Sequence, residues 1–119
     1  MQVEETKLKD CFIFKDTLFK DPRGYFFESF NQQKFNEITR LNVQFVQDNQ
    51  SKSTKGVLRG LHFQLDAHAQ AKLVRVLEGK VFDVAVDIRP NSKTFGQHVA
   101  VELTAENETQ LFVPRGFTH

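Results

Sequence analysis

The feature that most constrains this chain is a change of hydrophobic period at Val43. From there on, apolar and polar residues alternate in short runs bounded by turn residues. Val43, Phe45, Gln47 and Asn49 fall on one face of an extended segment, with Gln44, Val46 and Asp48 on the other. Val57–Gln64 reads as a further strand. Lys72–Leu77 and Lys80–Ile88 flank Glu78-Gly79, a two-residue hairpin turn with Gly where positive φ is required. In its second arm Phe82, Val84, Val86 and Ile88 alternate with Asp83, Ala85 and Asp87. Val99, Val101 and Leu103 give another alternating strand, Glu106-Asn107-Glu108 a turn, and Gln110–Val113 a last strand before Pro114. Strands at this short, regular spacing predict an all-β sandwich or barrel. Pro114–His119 reads as the approach to yet another strand, so a jelly roll built from these residues is expected to be incomplete at its C-terminal end.

The first forty residues are organised differently. Cys11–Phe14 suits a short strand, Asp21-Pro22-Arg23-Gly24 a turn, and Tyr25–Phe30 an aromatic-rich strand. Asn31 is placed to cap one short helix near residues 31–39, with Phe35 and Ile38 on a common face.

A chain of 119 residues has room for one domain, taken as residues 1–119. The formal net charge of +1 gives no basic stripe, which argues against a nucleic-acid partner. Recognition of a phosphorylated ligand would fall to a few placed Arg and Lys side chains. Cys11 is the only cysteine, so neither a disulfide framework nor a Cys-based zinc site is expected. The N-terminus is polar and acidic rather than signal-like, and no apolar run reaches membrane-spanning length; a soluble, cytoplasmic domain is expected. The chain has 13 Phe but one Tyr, so Tyr25 is the only phenol on offer as a catalytic acid.

The densest polar cluster in the β region is Arg59-Gly60-Leu61-His62-Phe63-Gln64, with Lys72 ten residues after the His. Strict alternation puts Arg59 and His62 on opposite faces, and a β-bulge at Gly60 would turn both into one cavity. Lys72 shares a face with Val74 and Val76, where an ammonium group needs an anionic partner or a depressed pKa. A solvated edge carrying all three side chains is the structural alternative. Gln64 stands where a metal site would place a second His; His68 and His98 lie at spacings that build no facial triad, so no metal is expected and both read as surface histidines. Arg23 on its Gly turn suits a phosphate, and Gln47 and Asn49 suit a pyrimidine edge.

Several long motifs then converge. Asp21-Pro22-Arg23-Gly24-Tyr25-Phe26-Phe27-Glu28-Ser29-Phe30, Gln47-Asp48-Asn49-Gln50-Ser51, Gly56–Gln64, Lys72-Leu73-Val74, Val81–Arg89 and Val113–His119 together resemble the dTDP-4-dehydrorhamnose 3,5-epimerase family, in order and over essentially the whole chain. The resemblance implies a metal-free, cofactor-free cupin jelly roll working as a homodimer on dTDP-4-dehydro-6-deoxy-D-glucose, on the route to dTDP-L-rhamnose. It assigns His62 as the base that removes the protons at C3 and C5, and Lys72 as the stabiliser of the enolate oxygen. It places Arg23, Glu28, Gln47, Asp48, Asn49, Arg59 and His119 on the dTDP-sugar. The family's general-acid Tyr and the carboxylate that orients its catalytic His lie further along than His119, so these residues correspond to the N-terminal two-thirds of the usual length. Two functions are therefore expected in competition: an epimerase, or a sugar-nucleotide-binding cupin that lacks the acid and does not epimerise.

Overall fold

The computed structural model describes residues 1–63 and 69–119. In chain order the elements are β1 (Gln2–Glu5), β2 (Phe12–Lys15), β3 (Phe19–Asp21), β4 (Gly24–Phe26), α1 (Gln32–Thr39), β5 (Lys72–Arg75), β6 (Lys80–Asp87), β7 (His98–Thr104), β8 (Thr109–Val113) and β9 (Phe117–Thr118). Three antiparallel sheets result: β1-β2-β8-β5, β7-β6-β9 and the β3–β4 hairpin. The fold is all-β with one short helix, as the alternation predicts.

Three layers follow from which side chains each strand turns inward. On β8 every residue is buried, because both faces of the four-stranded sheet are covered there. Leu111 and Val113 face the three-stranded sheet and pack with Ala85, Leu103 and Phe117, flanked by Val99 and Val101. Phe112 points the other way, joining Phe12, Phe14 and Phe35 beneath the helix. The register enforces this split: Phe12 and Leu73 both stand opposite Phe112, while Ile13 and Val74 stand opposite Leu111.

The helix forms where its cap and spacing place it. Asn31 accepts a hydrogen bond from Lys34 N–H at 3.0 Å, satisfying one of the unpaired first-turn donors. Phe35 and Thr39 are buried, one turn apart. Phe35 then meets Phe14, Phe45 and Phe112 with ring centroids 5.4, 5.3 and 4.9 Å away, a cluster that takes four of the 13 phenylalanines.

Four sequence expectations need correction. Val43–Asn49 forms no strand, because α1 supplies its backbone partners instead: Gln32 Nε2 donates to the Val43 carbonyl at 2.6 Å, Phe45 N–H donates to Gln32 Oε1 at 3.1 Å, and Val43 N–H to Asn36 Oδ1 at 3.3 Å. Residues 57–63 are also outside any assigned strand; Gln64, the loop that follows and His68 lie outside the described residues. The third concerns Glu78-Gly79. It has the φ of a turn, +82° at Gly79, yet β5 pairs with β8 and β6 with β7, so the chain crosses there between the two sheets. Tyr25–Phe30 keeps only its first residues as strand, and Phe27–Phe30 runs irregularly into the helix cap.

Candidate active site

The site is built where β9 docks on β6. Val86 pairs with Thr118 and Asp87 with Phe117, which fixes the chain up to His119. There, His62 N–H donates to the His119 carbonyl at 2.9 Å and His119 N–H donates to the His62 carbonyl at 3.1 Å. Thr118 Oγ1 adds a bond to the same His62 carbonyl at 3.2 Å. This reciprocal pair holds the segment around His62 without a longer ladder.

Gly60 makes the approach possible. Its φ is +119°, and a Cβ there would sit 3.1 Å from the His119 carbonyl oxygen. The glycine therefore serves close backbone approach, not the β-bulge expected from sequence, and it does not turn Arg59 inward. Arg59 is exposed and donates from Nε to Ser53 Oγ at 2.8 Å.

Lys72 comes from the other sheet. It stands opposite Val113 on the face that looks into the sandwich, and it is half-buried. His62, Lys72 and His119 meet around a cavity of about 260 Å³, walled by Phe63, Val113 and Phe117. A proton acceptor and an ammonium group thus share one partly apolar space, the pairing needed to remove a proton and stabilise the negative charge left behind.

The remaining expected residues lie elsewhere. Arg23 is 90% exposed and ion-paired with Asp21 at 2.7 Å; hydrogen bonds from Arg23 hold the Asp21 carboxyl below its ordinary value. Glu28 pairs with Lys34 at 3.0 Å, and that ammonium, with the Asn31 amide, lowers its carboxyl in the same way. Gln47 Nε2 donates to Asn49 Oδ1 at 3.1 Å, consistent with one shared side, and Asp48 is exposed next to them. None of these five, nor Arg59, lines the His62 cavity. Nor does Tyr25, which borders a second cavity of about 150 Å³ with Phe27 and Arg75. His98 is exposed on β7, and among the described residues no cluster of three or more metal-ligating side chains occurs.

Asp83 was not among the expected site residues. It is 8% exposed on β6, and its Oδ1 lies 2.5 Å from His119 Nε2. The signal was present as a carboxylate inside an otherwise apolar alternating run, Val81-Phe82-Asp83-Val84-Ala85.

A family model described as dTDP-4-dehydrorhamnose 3,5-epimerase matches residues 5–119. The chain belongs to this family. It is 59% identical over all of its 119 residues to the dTDP-4-dehydrorhamnose 3,5-epimerase of Shigella flexneri and 58% identical to that of Salmonella typhimurium. It spans 66% and 65% of the length of those two relatives. Among solved structures it is similar to the dTDP-4-dehydrorhamnose 3,5-epimerase of Elizabethkingia anophelis, with a TM-score of 0.96 and 60% identity, covering all of this chain and 65% of that one. A second is the dTDP-6-deoxy-D-glucose-3,5-epimerase of Legionella pneumophila in complex with dTDP-4-keto-L-rhamnose, at TM-score 0.94 and 48% identity, covering 99% of this chain and 62% of that one. Family membership makes the three sheets part of a cupin-type jelly roll. Among the described residues no helix is long and apolar enough to cross a membrane.

Proposed function

We propose that this chain carries the proton-abstracting part of a dTDP-4-dehydrorhamnose 3,5-epimerase. His62 takes the proton from C3, and then C5, of dTDP-4-dehydro-6-deoxy-D-glucose. The C4 ketone receives the electron pair as an enolate, and the Lys72 ammonium stabilises its oxygen. The carrying observation is the meeting of His62, Lys72 and His119 at one cavity, His119 coming from more than forty-five residues further along the chain. No metal or cofactor takes part in this scheme. Arg23, Glu28, Gln47, Asp48, Asn49 and Arg59 bind the nucleotide, and His119 contacts the sugar-diphosphate end. Because those six are exposed and outside the cavity, they serve this role in a homodimer that also covers Val46, Leu58 and Leu61, now 85%, 93% and 56% exposed. A cytoplasmic setting is part of this proposal, and the lone thiol of these 119 residues agrees with it.

A second reading, sugar-nucleotide binding without epimerisation, is favoured by one observation. The only phenol of these 119 residues, Tyr25, borders the other cavity. For these 119 residues taken alone the expected chemistry is exchange of substrate protons with little inverted product.

The test is incubation of the substrate with the protein in D2O, followed by proton NMR at C3. Exchange should fall by roughly 10²–10⁴-fold in His62→Ala, the usual contribution of a positioned base. Exchange no faster than in His62→Ala rejects proton abstraction. A rise in melting temperature with dTDP in that case selects the binding reading; no rise rejects both.

A further inference from the structure

We propose that Asp83 is a positioning residue that acts through His119. The proposal deepens the functional reading above and rests on it for its kinetic arm only. Asp83 lies on the buried face of β6, opposite Val101, in an apolar layer with Ala85 and Leu103. Such a carboxylate is costly to bury unless something donates to it. Among the described residues its side chain has a single partner, the imidazole of His119.

The chemistry of that contact fixes the ring. A carboxylate oxygen accepts, so the nitrogen facing it, Nε2, carries the hydrogen. Nδ1 is then the ring nitrogen without a partner among the described residues, on a residue that lines the His62 cavity. His119 is thus held twice: its backbone by His62, and its ring by Asp83. Rotation of the imidazole would break the Asp83 contact, so the carboxylate selects one ring orientation and presents one nitrogen towards whatever occupies the cavity. A carboxylate that fixes the tautomer and angle of a functional histidine is a recurrent device of binding sites.

Asp87, two turns of the pleat away on the same face, provides the internal contrast. Arg89, Ser92 and Thr94 all donate to it, and it does not border the cavity. Its bonds stay among structural residues, whereas the single close contact of Asp83 leads to the site.

The experiment compares Asp83→Ala, Asp83→Asn, His119→Ala and the Asp83→Ala/His119→Ala double variant. Nitrogen-15 NMR first identifies the His119 ring N–H resonance as the one lost in His119→Ala. That resonance should be downfield and protected from solvent in the native protein, retained in Asp83→Asn, whose amide oxygen still accepts, and lost in Asp83→Ala. Substrate proton exchange should drop about tenfold to a hundredfold in Asp83→Ala, the usual cost of removing a carboxylate that orients a histidine. The double variant should be no worse than His119→Ala, because the two act as a unit. Near-UV circular dichroism verifies folding, with the near-isosteric Asn variant as the folded reference. A protected resonance that survives in Asp83→Ala, or an Asp83 effect undiminished without His119, overturns the proposal. If the native protein shows no substrate exchange, the functional reading fails, and the resonance alone still decides the role of Asp83.

Discussion

Replacing Asp87 with Ala tests how far the ground beneath the candidate site depends on one buried charge. Asp87 is fully buried at the end of β6. Its Oδ1 accepts from Arg89 N–H and Arg89 Nε, both at 3.0 Å. Its Oδ2 accepts from Arg89 Nη2 at 3.0 Å and from Ser92 Oγ and Thr94 Oγ1 at 2.5 Å each. Arg89 in turn reaches Asp10 at 3.4 Å and the Lys9 carbonyl at 3.1 Å, and lies over the Phe117 ring at 4.9 Å. Removing the carboxylate leaves a guanidinium and two hydroxyls with lost partners. Breaking a buried ion pair costs about 3–5 kcal/mol. Arg89 is one-quarter exposed and keeps Asp10 and the Lys9 carbonyl, so solvent recovers part of the loss. The lower end, about 3 kcal/mol, is expected, a drop of roughly 10 °C in Tm for a domain of this size.

The pH dependence supplies an independent check. Burial alone would raise the Asp87 carboxyl, but the bonds from Arg89, Ser92 and Thr94 outweigh it and hold the group well below its ordinary 3.8. A group depressed in the folded state stabilises fully above its unfolded value and loses that stabilisation as pH falls through the folded one. Asp87→Asn should therefore be less stable than the parent at pH 7, and the gap should narrow by about 1 kcal/mol by pH 3. Urea denaturation followed by circular dichroism at both pH values measures this. A loss below about 1 kcal/mol in the Ala variant, or a gap that is the same at pH 7 and pH 3, would refute the reasoning.

Other consequences of the packing are equally direct. Gly116→Ala should destabilise by about 1–2 kcal/mol in urea, because φ is +84° there and a Cβ would overlap the Arg89 side chain. Phe35→Ala should cost about 3–5 kcal/mol by the same measurement, since the ring is 1% exposed and touches four other phenylalanines. Burial pushes the Cys11 thiol up to about 11, so a maleimide at pH 8 should leave it unmodified in the folded protein and label it fully in urea.

Sequence pattern revealed the class of fold because the strongest signals are local. Asn31 caps its own helix, and Val99, Val101 and Leu103 turn towards the core as their alternation implies. Partner choice was hidden because it is non-local. Nothing in Glu78-Gly79 distinguishes a hairpin turn from a crossing between sheets; what decides is that Leu73 and Val74 find Phe112 and Leu111, nearly forty residues ahead. The segment at Val43 alternates like a strand, yet two side chains of the helix beside it satisfy its backbone first. Of the site, His62 and Lys72 were legible by residue type and motif. Asp83 was not, because the apolar pattern of β6 would turn Phe82, Val84 and Val86 inward and leave Asp83 outside.

The inward face of β6 turned out to be the acidic one. Asp83, Ala85 and Asp87 are buried, while Phe82 is 70% exposed. Hydrophobicity alone would choose the opposite orientation, so each carboxylate must bring donors that offset its burial. Asp87 draws them from Arg89 and the loop after it, and Asp83 from His119. The two acids therefore depend on different parts of the chain. Donors to Asp87 come within seven residues and form as soon as that loop does. The donor to Asp83 arrives only when β9 docks and His119 meets His62. Until then Asp83 is an unpaired acid in an apolar layer, and its pairing rewards assembly of the cavity. Loss of Asp87 should thus act first on stability and reach the site only through β9, whereas loss of Asp83 acts on the His119 ring directly.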